Sequence, residues 1–506
     1  MNHNFSFWRS FLWPIHSSEL YKFLPLFCMA FFISCNYNIL RNMKDALLIT
    51  AESSGAEVLP FIKVWGIIPA AFLMTMLYSK LSNRLKRDTV FYTMISIFLV
   101  FFSLFTFVVY PMRESLHLHQ TANWLQGVLP PGCKGLISML RYWSFSSFYI
   151  MSELWSSAIL SMLFWGFANE VTKLGEAKRF YSLIALGLNL ATIAAGLVST
   201  LCSQASWDQS MVLLTSLVLV SGLIILAIYR HVTHKVLKAE ALDPTPQVKH
   251  PKIRMSLKEN FAYLLRSKYL FYLAVIVLSY NLVINLVEVI WKDQVCQLYP
   301  HPNDYNAYMS QVTTMTGVIS FLMSLFISGN MIRKCGWTFT ALATPLILLA
   351  TSIGFFIFFF GKGSFLGLLA AVGTSPLALV VFFGSAQNCL CRAAKFTLFD
   401  STKEIAFIPL DRESKLKGKA VIDGVGSRLG KSGGSLIYQG LLLTFTTIAA
   451  SAHIAAGILF GVIGIWGFAV IGLGKRFRSL THAKEEVPAT PLPSEQKATQ
   501  ASGAPT

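Results

Sequence analysis

The sequence predicts an all-α integral membrane protein with about twelve transmembrane helices in two six-helix halves. Three observations carry that prediction: an apolar composition no soluble chain can hide, uncharged runs as long as a bilayer crossing, and loops that alternate in basic character. Among 506 residues, hydrophobic types make up 54%, charged types 13%, and Phe occurs 40 times. A soluble domain carries about 25% charged residues. Mean hydropathy is +0.56, so much of the surface must face lipid. Soluble globular, disordered and disulfide-scaffold classes are excluded.

Runs of roughly 20 apolar residues, enough to cross about 30 Å of hydrocarbon, fall near 22–48, 57–79, 89–111, 143–170, 179–204, 210–229, 269–291, 305–330, 337–360, 364–391, 427–448 and 452–473. Net charge is +18, which in a soluble chain would suggest nucleic acid. Here its distribution matters more. Loops on one side hold 31 Lys/Arg, those on the other only 5, namely Arg113, Lys134, Arg141, Lys292 and Lys362. The positive-inside rule then puts both termini in the cytoplasm, which requires an even number of spans.

The expected organisation is a cytoplasmic N-terminus (1–21), a six-helix half (22–229), a basic cytoplasmic linker (230–268), a second six-helix half (269–474) and a disordered cytoplasmic tail (475–506) rich in Pro, Ala, Ser, Gln and Thr. No removable signal peptide is expected, because Arg9, Trp8 and Trp13 precede no short apolar core with a small-residue cleavage site. The 8 cysteines lie mostly in apolar runs, where a thiol serves as a small hydrophobe. Cys389 and Cys391 have no second Cys/His pair nearby, so no metal and no cofactor is expected.

The halves echo each other. Tyr37-Asn38, Asn42 and Asp45 reappear 243 residues later as Tyr280-Asn281, Asn285 and Glu288. Steps of four and three place each polar trio on one helix face. Two facing six-helix repeats describe a major-facilitator-like transporter with its substrate between them.

Charge inside an apolar run costs about 2.5–3.5 kcal/mol on insertion scales and marks a pathway. The candidates are Arg41, Lys44, Asp45, Lys63 and Glu153 in the first half, and Glu288, Asp423, Arg428 and Lys431 in the second. Arg41 and Lys44 are neighbours on one face, as are Arg428 and Lys431. Two cationic pairs frame a site for a polyanion, with Glu153 and Glu288 compensating them when it is empty. The competing reading has Lys44 and Lys431 snorkelling at span ends and the glutamates in internal salt bridges.

The run Gly424-Val425-Gly426-Ser427-Arg428-Leu429-Gly430-Lys431-Ser432-Gly433-Gly434 approaches a P-loop, but Val425 stands where its first glycine belongs and no strand precedes it. Two readings remain: a small-residue seam for close helix packing, or backbone N–H groups offered to phosphate beside Lys431. Tyr37, Trp65, Trp155, Trp165, Tyr280 and Trp291 are either purine-stacking candidates or core and interface anchors.

The runs Ile39-Leu40-Arg41-Asn42-Met43-Lys44-Asp45, Glu57 to Trp65, Glu153-Leu154-Trp155, Phe164 to Glu170, Glu176 to Tyr181, Asn285 to Lys292, Ile408-Pro409-Leu410-Asp411, Lys417 to Ala420 and Gly430 to Gly434 resemble the ATP/ADP translocase family of plastids and obligate intracellular bacteria. The resemblance extends from about Leu24 to Gly474. It departs at Asn42, where the family's first motif has Asp, and at Gly424 and Ser427-Arg428, in a stretch usually poorer in glycine.

The resemblance implies a secondary transporter, not an enzyme, that imports host ATP in exchange for ADP by alternating access. Its charged transport residues match Lys44, Glu153, Glu288 and Lys431 here, with Arg41, Lys63 and Arg428 as further binding candidates. It implies a multi-pass protein of a bacterial inner membrane, with ATP and ADP as partners alongside the lipid bilayer, and with phosphate, other nucleotides or protons as additional ones. Nucleic acid is not expected, nor is an oligomer required. The rival within the family is proton-coupled symport of several nucleoside triphosphates; outside it, transport of another organic anion.

Overall fold

The computed structural model describes residues 15–172, 174–236, 267–361, 373–410, 418–419, 422 and 426–485. Among these the elements are all helical. Eleven helices are long and apolar enough to cross a membrane: α1 (Ser17–Ile49), α2 (Val58–Arg84), α3 (Arg87–Val109), α4 (Trp143–Val171), α5 (Arg179–Cys202), α6 (Trp207–His234), α7 (Lys268–Leu298), α8 (Pro302–Phe326), α9 (Met331–Phe360), α10 (Pro376–Ala406) and, last in the chain, α12 (Ile448–Thr481).

The twelfth expected span forms a helix, α11 (Ser427–Phe445), but composition alone does not qualify it. Gly430, Lys431, Ser432, Gly433, Gly434 and Ser435 dilute its apolar content. Its glycines meet the adjacent helix: a Cβ at Gly430 would lie 2.8 Å from Asn281 Cβ, and one at Gly434 3.2 Å from Asn285 Cβ. The small-residue reading of this run therefore holds on α7. Gly424 and Asp423 lie outside the described residues, as do most of the 230–268 linker and the Lys362 loop.

The helices present fat outward and polar groups inward. Phe72, Leu73, Leu223, Phe382 and Phe468 are exposed, while Asn36, Asn38, Asn42, Lys44 and Asp45 of α1 are buried. That inversion suits lipid as solvent, where buried polar groups must find partners within the protein. Helix α1 packs on α4, α5, α6 and α8, whereas α7 packs on α10, α11 and α12. The echo between them reaches the level of bonds. Asn38 Nδ2 donates to Ser34 O (2.9 Å), and Asn281 Nδ2 to Val277 O (2.8 Å). Asn42 Nδ2 donates to Ser310 Oγ of α8 (3.2 Å), and Asn285 Nδ2 to Ser435 Oγ of α11 (3.2 Å).

The C-terminal boundary differs from the sequence reading, and two further features add to it. The helix of α12 runs on to Glu485, because Lys475, Arg476 and Arg478 can continue a helix while their heads reach the membrane interface. The stretch between α3 and α4 folds into short helices, Arg113–Leu116, His119–Val128, Pro131–Cys133 and Lys134–Arg141. Its Pro131–Cys133 turn lies on the end of α11, where a Cβ at Gly132 would sit 2.4 Å from Leu442 O. Third, α9 contains a break at Gly336, whose φ of +75° falls in the region that favours glycine.

Helices α5 and α8 approach closely enough to exclude side chains. A Cβ at Gly196 would lie 2.6 Å from Ser310 O, and one at Gly317 2.9 Å from Ile193 N. Gly196→Leu should therefore destabilise the protein by about 1–3 kcal/mol through overpacking. Gly457→Leu, where nothing stands within 4 Å, should change stability by less than about 0.5 kcal/mol. Thermal unfolding in detergent measures both.

Between the spans, buried His117 shares a 2.8 Å hydrogen bond with Ser144 Oγ. Burial, aided by His119, lowers its pKa from 6.5 to about 4. The unfolded chain therefore takes up a proton on acidification before the folded one does, so this residue withdraws stability as pH falls from 6.5 towards 4. His117→Gln should flatten the dependence of unfolding temperature on pH across that window.

Candidate functional site

Helix α1 supplies Arg41, Lys44 and Asp45, and the first turns of α2 supply Lys63 within a wide π-helical segment, Ile62–Ile67. Such turns often mark functional positions because they re-aim side chains. Helix α4 supplies Glu153 just before a second π-helical segment, Ser156–Phe164. Helix α7 supplies Asn285, Glu288 and Lys292, α10 supplies Arg392, and α11 supplies Lys431.

All of these but Arg41 and the Lys431 ammonium form one connected polar chain. Lys44 Nζ contacts Glu153 Oε2 at 3.4 Å and Asp45 Oδ1 at 3.1 Å, and lies 3.6 Å from the centre of the Tyr149 ring. Asp45 Oδ2 meets Lys292 Nζ at 2.8 Å, and Lys292 Nζ meets Glu288 Oε1 at 2.9 Å. Glu288 also binds Lys63 Nζ at 3.1 Å and Arg392 Nη2 at 3.4 Å. Asn285 pins the cluster from the side: its Oδ1 accepts from Lys63 Nζ at 2.8 Å, and its Nδ2 donates to Lys431 O. Arg392 Nε donates to Asn388 Oδ1 at 2.7 Å.

Lys44, Asp45 and Lys292 are almost wholly buried, at 3%, 0% and 2% exposure, whereas Glu153 is 34% exposed. Lys431 is exposed and Arg41 partly so. The direction of that exposure follows from helical phase. Ser435, Tyr438 and Leu442, at four, seven and eleven residues beyond Lys431, share its face and are buried. Leu429, Leu436 and Leu443 lie on the other side and are exposed. Lys431 therefore opens into the protein's interior seam and away from the lipid face. Glu153 repeats the pattern, with Tyr149 and Ser146 buried on its own face. So does Arg41, with Asp45 and Leu48. On α1, α4 and α11 the inward face is open at the charged residue and sealed towards Ile49, Trp143 and Phe445.

Two cations in this crevice stand apart. Among the described residues, Arg41 and the Lys431 ammonium make no ion pair and no hydrogen bond. Arg41 still acts electrostatically on Glu288, and Lys431 on Glu153. Altogether six cations gather around the three carboxylates Asp45, Glu153 and Glu288. The carboxylates mask half of that positive charge, and the excess that remains is suited to binding a polyanion.

Six of the seven candidate binding residues are thus brought together: Arg41, Lys44, Lys63, Glu153, Glu288 and Lys431. The side chain of Arg428 lies outside the described residues. Burial overturns the snorkelling reading for Lys44. Trp155, Trp291 and Tyr280 are core residues, so they are removed from the purine-stacking candidates. Trp65 is exposed and donates its Nε1–H to Gln439 Oε1 at 3.3 Å.

Two members of the cluster escaped the sequence reading. By hydropathy Lys292 falls among the five charges of the sparse loops and Arg392 among the 31 of the basic ones, yet both sit inside continuous helices and bind Glu288. A charge closing an apolar run looks like a loop to a hydropathy window. The i,i+4 spacing of Glu288 and Lys292 was the available signal for the first; for Arg392 there was none.

Comparison with known proteins gives these residues a context. The chain is 48% identical over 497 residues to ADP,ATP carrier protein 2 of Chlamydia pneumoniae, covering 94% of this chain and 92% of that one. It is 47% identical to ADP,ATP carrier protein 1 of Chlamydia trachomatis, covering 94% and 93%. It is 40% identical to the chloroplastic ADP,ATP carrier protein 2 of Arabidopsis thaliana, covering 94% and 77%. Among solved structures, a bacterial homologue of the iron transporter ferroportin in an inward-facing state aligns with a TM-score of 0.54 at 15% identity, covering 92% and 99%. A D-xylose-proton symporter aligns at 0.52 and 14%, covering 90% and 97%. Those two likenesses establish a major-facilitator-like fold. The family model described as TLC ATP/ADP transporter matches residues 1–477, and with relatives at this identity along nearly the whole chain, this multi-pass membrane protein belongs to the TLC ATP/ADP transporter family.

Proposed function

We propose that this protein exchanges ATP for ADP across a bacterial inner membrane by alternating access, with both termini in the cytoplasm. Residues 22–229 and 269–474 act as two six-helix halves around the ionic crevice. The observation that carries the reading is the pair of uncompensated cations, Arg41 and Lys431, opening into a seam where six cations meet three carboxylates. A nucleotide of charge near −3 or −4 neutralises that excess.

In this reading Arg41 and Lys431 receive phosphate oxygens first, because no internal carboxylate must be displaced from them. Lys44 and Lys63 follow by trading Glu153 and Glu288 for phosphate. Arg428 adds to the cationic rim of α11. The two glutamates keep the empty site from holding bare buried charge, a state that costs several kcal/mol per ion. Exchange results if the crevice can reorient only when loaded. Phosphate is a further candidate substrate for the same cations.

Lys431→Ala and Lys44→Ala should each lower uptake of labelled ATP by more than tenfold, about 1.4 kcal/mol of lost binding, in protein that still inserts at normal levels. Full uptake in either would refute the roles assigned. Competition by ATP, ADP, GTP and UTP, with and without a protonophore, tests the exchange itself. Inhibition by ATP and ADP alone, insensitive to the protonophore and dependent on internal nucleotide, is the expected result; collapse with the protonophore would replace it with proton-coupled symport.

Lys63 and Glu288 should show strong coupling. Glu288→Gln alone leaves Lys63, Lys292 and Arg392 without their shared carboxylate and should reduce inserted protein, because an orphaned buried charge costs about 3–5 kcal/mol. Adding Lys63→Met to Glu288→Gln should recover part of that protein but no exchange, measured by fluorescence-detected size exclusion and by uptake.

A further inference from the structure

We infer that Lys292 is a positioning residue for exchange: with Asp45 it forms the latch that seals one end of the crevice, and Glu288 releases it. This rests on the transport reading above. The Asp45–Lys292 contact, at 2.8 Å, joins α1 to α7 with almost no exposure on either side. Around it the same end is closed by lighter contacts. Cys296 Sγ stands 3.8 Å from Ile49 O, and Gln439 Nε2 donates to Pro60 O at 2.9 Å.

The chemistry of this seam suits a contact that must open and reclose. Ions separated into water recover their hydration, so a buried pair lies close to break-even against its open state. An apolar seam has no such compensation on opening. The connectivity then supplies a release. Glu288 holds Lys292 at 2.9 Å, Lys63 at 3.1 Å and Arg392 at 3.4 Å. A phosphate group that draws Lys63 and Arg392 away leaves Glu288 with Lys292 alone. Lys292 is then held more strongly by Glu288 and less by Asp45, which retains Lys44 at 3.1 Å. Loading the site loosens the far seal without Lys292 touching the substrate.

Cys296, one turn beyond Lys292, reports on that seal. In a chain whose other seven cysteines are serine, an impermeant maleimide applied from the sealed side should modify Cys296 slowly. ATP or ADP should accelerate the reaction, because turnover opens this end. Asp45→Asn and Lys292→Gln should each raise the rate about tenfold without nucleotide, the signature of a shifted population, while Lys292→Arg should keep it slow. Unchanged labelling in Asp45→Asn and Lys292→Gln protein that inserts normally would overturn the latch. If neither variant inserts, the unsubstituted latch decides: labelling that ignores nucleotide while uptake proceeds would overturn it equally. Faster labelling in Asp45→Asn, alongside a latch-intact chain that takes up no nucleotide and whose labelling no nucleotide alters, would leave the latch standing and remove the ATP/ADP reading.

Discussion

Buried charge in a lipid-embedded protein has to be matched within the protein, and here one carboxylate does most of the matching. Glu288 holds Lys63 of α2, Lys292 of its own helix and Arg392 of α10. Three helices are therefore placed by a single side chain, and Asn285, one turn earlier, fastens Lys63 and the backbone of Lys431 to the same spot. Asp45 does the corresponding work on α1, binding Lys44 beside it and Lys292 across the seam. Removing Glu288 would leave Lys63 and Arg392 without a carboxylate partner, whereas removing Asp45 would leave Lys44 to Glu153 and Lys292 to Glu288. The apolar exterior sets where the helices stand relative to lipid; these two acids set how they stand relative to one another.

The echo between α1 and α7 gains meaning from this arrangement. Asn38 and Asn281 each return a hydrogen bond to their own helix one turn back, and Asn42 and Asn285 each reach a serine on a neighbouring helix. Asp45 and Glu288 each accept Lys292, and each adds a second lysine of its own, Lys44 and Lys63. Equivalent positions thus perform equivalent bonding, while the sets of cations differ. A repeat that conserves its carboxylates but changes their partners gives a crevice with two unlike walls. An asymmetric anion, with phosphates at one end and a base at the other, can be oriented by such a pair.

The sequence made the fold and most of the site legible for a simple reason: both follow from transfer free energies. Twelve apolar runs announced the spans, eleven of which are long and apolar enough to cross a membrane, and the cost of charge inside those runs singles out Arg41, Lys44, Lys63, Glu153, Glu288 and Lys431, which the structure gathers together. The ends of runs are less legible. Lys292 and Arg392 end apolar stretches, and a hydropathy window cannot distinguish a charge that leaves the membrane from one that turns inward to a carboxylate. Helix α11 posed the opposite problem. Its glycines and serines depress hydropathy because they are used for close packing on α7, and that use is invisible without the partner helix. Trp155 and Trp291 are a third case: aromatic residues beside charges read equally well as stacking platforms or core, and only burial separates the two.

The distribution of exposure gives the remaining step. Arg41, Glu153 and Lys431 are accessible, whereas Lys44, Asp45 and Lys292 are sealed, although all lie in one charged crevice. At the open end Arg41 and Lys431 are accessible and, among the described residues, unpaired; at the sealed end Lys44, Asp45 and Lys292 are committed to internal pairs. A ligand entering from the open end encounters unpaired cations first and competes for the shared ones next, so its binding energy is spent progressively on rearranging the internal pairs. Strong internal pairing without a ligand and weak pairing with one is the condition under which an empty carrier stays put and a loaded one turns. Under the exchange proposed above no separate gate is needed, because the ion pairs that stabilise the empty site would be the same ones that hold it shut.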